Sequence, residues 1–240
     1  MKKKTIVITG GADGIGLSIA KKFNDNNYNI IIIDNNLKSI NKIKDKNIHC
    51  YYADVSSEKQ MSYVYLDIGK KFNHIDVLVN NAAKQTESSF NDTIYAEWKK
   101  VIDTNLNGTF LTIKNSINFM KNGSTILNVI SVHYNKPRKN KYAYDASKAA
   151  IAILTQELAL EFAHKNITVN ALSFGAVKTN MNKDWINNDE KVKQVLSKVP
   201  LNKIFTSDEI ASFAYSIIND FSIYSTGSIF TIDAGRSLTW

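Results

Sequence analysis

The chain has a single cysteine, Cys50, and only two arginines, Arg138 and Arg236, among its 30 basic residues. One thiol excludes an internal disulfide and suits a reducing compartment, so a cytoplasmic protein is expected. The four histidines, His49, His74, His133 and His164, show no ligand spacing, and no cluster of Cys, His or carboxylates suggests a structural metal. No window approaches the roughly 20 apolar residues of a membrane span. The apolar run after Met1-Lys2-Lys3-Lys4 is too short for a signal peptide and ends in Gly10-Gly11-Ala12-Asp13, which reads as a first strand entering a turn. Internal repeats, low-complexity linkers and composition breaks are absent too. The 240 residues, 44% of them hydrophobic, are therefore expected to form one domain, 1–240, around one core.

The formal net charge of +8 invites a nucleic-acid reading. Against it, the lysines are dispersed among Asn and Ile, and no basic run is interleaved with aromatics. Neither a nucleic-acid nor a membrane partner is expected. The charge does favour anionic small molecules.

What the chain does have is alternation of strand-like and helical runs. Strands are expected at 4–9, 29–34, 48–53, 75–79, 124–130, 167–172 and 228–232, and helices at 15–26, 37–44, 58–72, 95–120, 142–159, 191–196 and 208–219. Continuously apolar strands such as Ile30-Ile31-Ile32-Ile33 require a sheet covered on both faces. The pattern predicts an α/β fold: a single-domain, doubly wound parallel sheet, Rossmann-like, with helices on both faces. The polar, Asn-rich stretch from Lys178 to Pro200 is expected as an irregular, mobile lid. Trp98, Trp185 and Trp240 read as packing residues.

Three motifs carry chemistry. The first strand enters Thr9-Gly10-Gly11-Ala12-Asp13-Gly14-Ile15-Gly16, where Gly10 and Gly14 let the backbone approach a pyrophosphate and the helix start aims N–H groups at that anion. The candidate cofactor contacts here are Gly10, Asp13, Gly14, Ile15 and Gly16. The second motif is Asp34, 18 positions past Gly16 at the end of the second strand. Its carboxylate suits an adenosine ribose and repels a 2'-phosphate, and Asn35 and Asn36 supply no Arg to neutralise one, so NAD is favoured over NADP.

The third motif is Tyr144-Asp145-Ala146-Ser147-Lys148 at the start of a helix with a broad apolar face. Tyr144 and Lys148, four apart, share that face. An ammonium beside the phenol lowers its pKa from about 10 towards neutrality, where it can act as general acid or base. The plainer alternative is a half-buried Tyr beside a solvated Lys. His133 and Tyr134 are placed either in a substrate pocket or at the surface.

Taken together, these motifs are similar to those of the short-chain dehydrogenase/reductase family. The glycine turn has the family's form, Tyr144 and Lys148 have its spacing, and Ser131 lies 13 residues before the Tyr. Asn105, in Asn105-Leu106-Asn107-Gly108, has the setting of a fourth active-site residue. The resemblance implies a catalytic set of Asn105, Ser131, Tyr144 and Lys148, with Tyr144 as acid/base, Lys148 lowering its pKa and holding the nicotinamide ribose, Ser131 binding the substrate oxygen and Asn105 holding a relay water. It further implies adenine at Asp54 and Val55, Asn81 and Ala82 near the ribose, and Val177 and Thr179 near the nicotinamide carboxamide. Ala83, Phe174 and Ala234 depart from the pattern, the first two beside the expected cofactor.

The function so implied is an NAD(P)-dependent oxidoreductase, NAD preferred, moving a hydride between the cofactor and a secondary alcohol or ketone. Thr86, Glu87, Ser88 and Ser89 lean towards a polar substrate: sugar, polyol or hydroxy acid. The alternatives are an NADPH-dependent 3-oxoacyl reductase and a dinucleotide-binding regulatory protein without turnover. A homo-oligomer, tetramer or dimer, is also implied, with the apolar face of the Tyr144 helix as one interface.

Overall fold

The computed structural model describes residues 3–239, so Trp240 lies outside it. Strands β1 (Thr5–Thr9), β2 (Asn29–Asp34), β3 (Ile48–Tyr52), β4 (Ile75–Asn80), β5 (Met120–Val129) and β6 (Thr168–Phe174) precede a short pair, β7 (Val177–Lys178) and β8 (Phe205–Thr206), and a last strand, β9 (Ile229–Ile232). Helices α1 (Gly14–Asp25), α2 (Leu37–Ile40), α3 (Glu58–Lys71), α4 (Tyr95–Ile102), α5 (Gly108–Ser116), α6 (Tyr142–Phe162), α7 (Lys183–Ile186), α8 (Asp189–Leu196) and α9 (Ser207–Ser216) connect them. The main sheet is parallel throughout, in the order β3-β2-β1-β4-β5-β6-β9. The chain thus reverses direction across the sheet between β1 and β4. That reversal opens a crevice at the carboxyl ends of these strands.

The isoleucine run in β2 shows why the sheet is buried on both sides. With a period of two, Ile30 and Ile32 join Ile6, Ile8, Val77 and Val79 in the core under α1 and α9, while Ile31 and Ile33 join Val7, Leu78 and Ile126 under α3 and α5. All four isoleucines are fully buried. At about 1.5–3 kcal/mol for each such side chain, β2 alone contributes several kcal/mol of burial.

The elements depart from the expected spans in three places. The 37–44 helix shrinks to the single turn of α2, which fully buries no residue and is held only by the Asn36 cap and by Ile40 against the core. The expected helix over 95–120 is divided: α4 passes into a π-helical turn at Asp103–Asn107, then α5, then a 3-10 turn, and Met120 already belongs to β5. The stretch 178–200 is not irregular. β7 pairs with β8, and α8 starts where Asn188 accepts a hydrogen bond from the Lys191 amide at 3.0 Å, so an asparagine that reads as loop composition is a helix cap. No helix among the described residues is long and apolar enough to cross a membrane, and no group of three or more His, Cys, Asp or Glu among them is placed to hold a metal ion.

Candidate active site

The turn between β1 and α1 is built by its neighbours as much as by its glycines. Gly10 has φ of 61° and donates to the Ile33 carbonyl at 2.8 Å. Asn81, after β4, sends its side-chain amide to the carbonyls of Thr9 (3.1 Å) and Gly10 (2.9 Å), while Thr9 Oγ1 accepts from the amides of Asn81 and Ala82. The Asn81 side-chain NH2 therefore braces the turn with both of its N–H groups. Asp13 caps α1 by accepting from the Gly14 amide at 2.7 Å, and its second oxygen accepts from Asn180 at 2.8 Å, tying the turn to the segment after β7.

The glycines divide into two kinds. A Cβ at Gly14 (φ 52°) would face open space, with Thr179 the nearest neighbour at 4.0 Å. At Gly16 a Cβ would lie 2.2 Å from the Gly10 carbonyl oxygen and 2.6 Å from the Asn81 amide nitrogen. Gly14 thus faces a cradle at a helix start, which fits a pyrophosphate, whereas Gly16 is a packing residue beneath it. Gly16→Ala must push backbone apart, and we expect a loss of at least about 3 kcal/mol together with dinucleotide binding. Thermal unfolding and an NADH fluorescence titration check this; a stable variant that binds normally would exclude the packing role.

At the carboxyl end of β2, Asp34 accepts from the amides of Ala12 (3.0 Å) and Asn36 (2.9 Å). Each oxygen keeps a further lone pair for a hydroxyl donor. After β3, Asp54 accepts from the amide and hydroxyl of Ser56, bonds that together with Asn35 and Lys84 hold its carboxyl below the usual range despite partial burial.

These residues line one cavity of about 1110 Å³ that runs from Asp34, Asp54 and Val55, past Gly10, Asp13, Gly14, Ile15 and Ala82, to Ser131, Tyr144, Lys148, Val177 and Thr179. Asn81 also reaches its wall. The volume exceeds the roughly 300–1,000 Å³ of an ordinary ligand pocket, room for an extended dinucleotide with a small molecule beside it. Gly16 and Asn105 stand behind this wall.

Asn105 is fully buried on the π-helical turn, a feature that recurs at functional sites because the extra residue redirects side chains. Its carbonyl oxygen accepts from the Lys84 amide (2.7 Å), and its NH2 donates to the Lys84 carbonyl (3.0 Å) and to Ser147 Oγ (2.9 Å). The side-chain amide is thus a clamp between the chain after β4 and α6. A second clamp, absent from the sequence reading, runs Asn80 to Asn128 to Thr155, at 2.8 and 2.9 Å, and fixes β4, β5 and α6 to one another. Both make the geometry of α6 stiff.

At the other end of the cavity Ser131 follows β5 as the cap of a 3-10 turn, accepting from the His133 amide at 3.3 Å, and lines the wall together with Tyr144. Tyr144 packs with Val101, Ala143 and Trp98. Lys148 is buried, its Nζ 5.6 Å from the centre of the Tyr144 ring and donating to the Val129 carbonyl at 2.8 Å. In this arrangement burial outweighs the lowering of the phenol expected from Lys148. Burial pushes Tyr144 up to about 12, opposed by Ser131 and the Arg138 charge, and burial pulls Lys148 down to about 8. The ammonium lies over the ring and is directed at a carbonyl, so it does not compensate the desolvation of the phenolic oxygen.

Some pocket expectations change as well. His133 is buried and lines the cavity, but Tyr134 packs against the Ile130 and Ile151 cluster. Of the polar run 86–89, Glu87 reaches the cavity, paired with Lys141 at 2.6 Å, while Ser88 bonds Thr93 and Ser89 bonds Asp92. Trp185 lines the cavity, and Trp98 packs beside Tyr144. The sequence reading missed Arg138 and Arg236 in the lining. Their rarity in a lysine-rich chain was the available signal.

The family model described as Enoyl-(Acyl carrier protein) reductase matches residues 10–237. The chain is 32% identical to glucose 1-dehydrogenase 2 of Bacillus subtilis (strain 168) over 247 residues, covering 98% of this chain and 95% of that protein. It is 31% identical over 245 residues to the 3-oxoacyl-(acyl-carrier-protein) reductase of Buchnera aphidicola subsp. Schizaphis graminum, covering 100% of this chain and 99% of the relative. Among solved structures, ElxO with NADP bound has a TM-score of 0.91 at 31% identity, covering 98% of this chain and 99% of that one.

Proposed function

Since this chain belongs to the short-chain dehydrogenase/reductase family of oxidoreductases, we propose that it interconverts a polar secondary alcohol and its ketone with NAD(H). The nicotinamide, when bound, supplies the hydride chemistry. The observation that carries this reading is the convergence of Ser131, Tyr144 and Lys148 on one end of a cavity whose other end holds the glycine turn and Asp34. A regulatory protein without turnover has no need of that buried set.

In this reading Tyr144 hands its proton to the ketone oxygen in reduction and takes it back in oxidation. Ser131 hydrogen-bonds the same oxygen, fixing it and stabilising developing charge. Lys148 carries the charge that favours phenolate once the phenol must ionise, and holds the nicotinamide ribose. Asn105 is a positioning residue acting through Ser147 and the Lys84 backbone. The helical stretch of α7 and α8 covers the substrate side through Trp185. Similarity to a glucose dehydrogenase favours a polyol-like or other polar substrate; similarity to a 3-oxoacyl reductase supports a second reading, reduction of a 3-oxoacyl thioester. A screen of alcohols, hydroxy acids and 3-oxoacyl thioesters followed at the NADH absorbance separates the two, and a complete absence of turnover would exclude both.

Cofactor choice rests on Asp34, whose carboxylate stands in the cavity beside Asn35 and Asn36. A negative charge there repels a 2'-phosphate. Wild-type protein is expected to bind NAD more tightly than NADP in paired titrations. Asp34→Asn keeps an acceptor for the Ala12 amide but removes the charge, and should narrow that preference by about tenfold or more, given roughly 1.5–3 kcal/mol for a charged hydrogen bond. A wild-type preference for NADP would overturn the assignment. The exposed Ile153 and Leu160 on α6 support the homo-oligomer, a tetramer in this proposal, with that face as an interface.

A further inference from the structure

Residues 135–141 join the turn that follows Ser131 to α6, the helix that carries Tyr144 and Lys148. Lys136, Arg138, Lys139 and Lys141 make the stretch cationic, so its own charges repel one another. Arg138 lines the cavity, as does His133 just before the stretch. Where this stretch lies therefore shapes the end of the cavity at Ser131 and Tyr144.

Asp145 stands where the stretch can be held. α6 starts at Tyr142 without a side-chain cap from Lys141, and Asp145, in its first turn, reaches back over the start of the helix. Its Oδ2 accepts from the Arg138 amide at 2.6 Å. The backbone bonds of the stretch are longer: Lys136 to the Val132 carbonyl and Lys141 to the Arg138 carbonyl, both 3.3 Å, and Ser88 to the Asn140 carbonyl, 3.2 Å. The Lys141–Glu87 pair at 2.6 Å ties the far end of the stretch, but Glu87 is exposed and that pair is screened by water.

The carboxylate is placed at a cost. Asp145 is only 7% exposed, and its Oδ1 has no hydrogen-bond partner among the described residues. Burial raises its pKa, while the bond from the Arg138 amide and the charges of Arg138 and Lys141 pull it back. A helix position that only filled space would be apolar; a buried carboxylate on one hydrogen bond marks a position kept for that bond. Through it the chain from Ser131 to Tyr144 is closed into a ring at the residue next to Tyr144. Asp145 itself is not among the residues that line the cavity.

We propose that Asp145 is a positioning residue for the substrate, holding the stretch 135–141 against the cavity through the Arg138 amide and so setting how tightly a substrate is kept beside Ser131 and Tyr144. This rests on the hydride-transfer reading above. The proton transfer stays with Tyr144 and the dinucleotide cradle is at the far end, so the loss of Asp145 is felt in KM and not in kcat or cofactor binding.

Asp145→Asn keeps an oxygen that can accept from the Arg138 amide, whereas Asp145→Ala keeps none. Hydrogen exchange of the NADH-loaded proteins, read by mass spectrometry, should show the 135–141 amides exchanging about tenfold faster in Asp145→Ala, as expected for a lost charge-assisted hydrogen bond. Asp145→Asn should stay near wild type, and β1, β2 and β4 should be unchanged in both. With the compound that the wild type turns over fastest in the screen above, KM should rise about tenfold in Asp145→Ala and recover in Asp145→Asn, with kcat and NADH affinity held within about threefold. Exchange at the wild-type rate in Asp145→Ala overturns the proposal. Faster exchange throughout the sheet, kcat and NADH affinity falling together, or no recovery with Asn marks a merely structural residue and overturns it as well. A loosened stretch with KM unmoved also overturns it and leaves hydride transfer intact. Faster exchange confined to 135–141, in a protein whose wild type turns over no compound, supports the clamp and counts against hydride transfer.

Discussion

Tyr144→Phe is expected to lose turnover by about 10²- to 10⁴-fold, the range a positioned general acid or base contributes, while still binding the dinucleotide. The substitution removes one hydroxyl and leaves the ring in its contacts with Trp98, Val101 and Ala143. The pyrophosphate cradle and Asp34 are at the far end of the cavity and are untouched. The fold should therefore change by no more than about 1 kcal/mol, since a single hydroxyl is all that is removed. The pKa of about 12 sharpens the role: at neutral pH the phenol is protonated, so it is ready to donate in ketone reduction without prior ionisation. In oxidation the proton must first leave, and the alkaline side of the pH profile should favour that direction. Steady-state rates in both directions, with thermal unfolding and NADH titration on the same preparation, decide the matter. Near wild-type turnover would sink the assignment; loss of cofactor binding along with turnover would show that the side chain acts by holding the site together.

What the sequence revealed of this site, and what it hid, divides along physical lines. The glycine turn and Asp34 were legible because they obey local rules: backbone that must approach an anion, a strand that ends, a helix that begins. The isoleucine runs announced a sheet covered on both faces for a similar reason, since a period-two pattern is written into a single strand. Asn105 was placed in the right neighbourhood, but its side-chain contacts were hidden. The π-helical turn that aims it at Lys84 and Ser147 depends on how α4 packs against α6, which no local pattern encodes. The same holds for the phenol: a spacing of four predicts proximity to Lys148, but the direction of its pKa follows from burial and from an ammonium drawn to the Val129 carbonyl. Arg138 and Arg236 line one cavity only because β9 lies beside β6. In the stretch 178–200 the helical structure outside 191–196 was hidden because asparagine serves equally as loop and as cap.

Lys148→Met should produce the opposite pairing of effects, a more stable protein that does not turn over. The fold lowers the Lys148 pKa from the ordinary 10.5 to about 8, and burial is the cause. For a base depressed in this way the neutral form is the one the fold prefers. The favourable contribution is fully present above 10.5 and is lost as pH falls through 8, so below about pH 8 the protein carries the whole penalty of a buried cation. A shift of about 2.5 units corresponds to about 3 kcal/mol. Methionine fills a similar volume without charge, and the one contact it gives up is the bond to the Val129 carbonyl at 2.8 Å, worth about 1 kcal/mol. The net gain at pH 7 is about 2 kcal/mol, some 4–8 °C in Tm for a chain of this size, and it should vanish above about pH 10. Turnover should fall by at least about 10²-fold, since the charge that favours phenolate is gone. Unfolding midpoints of wild type and variant at pH 7 and pH 10, with turnover at pH 7, test both halves. A variant less stable than wild type at pH 7 would mean that Lys148 is a structural cation; a more stable variant with intact turnover would remove it from the catalytic set.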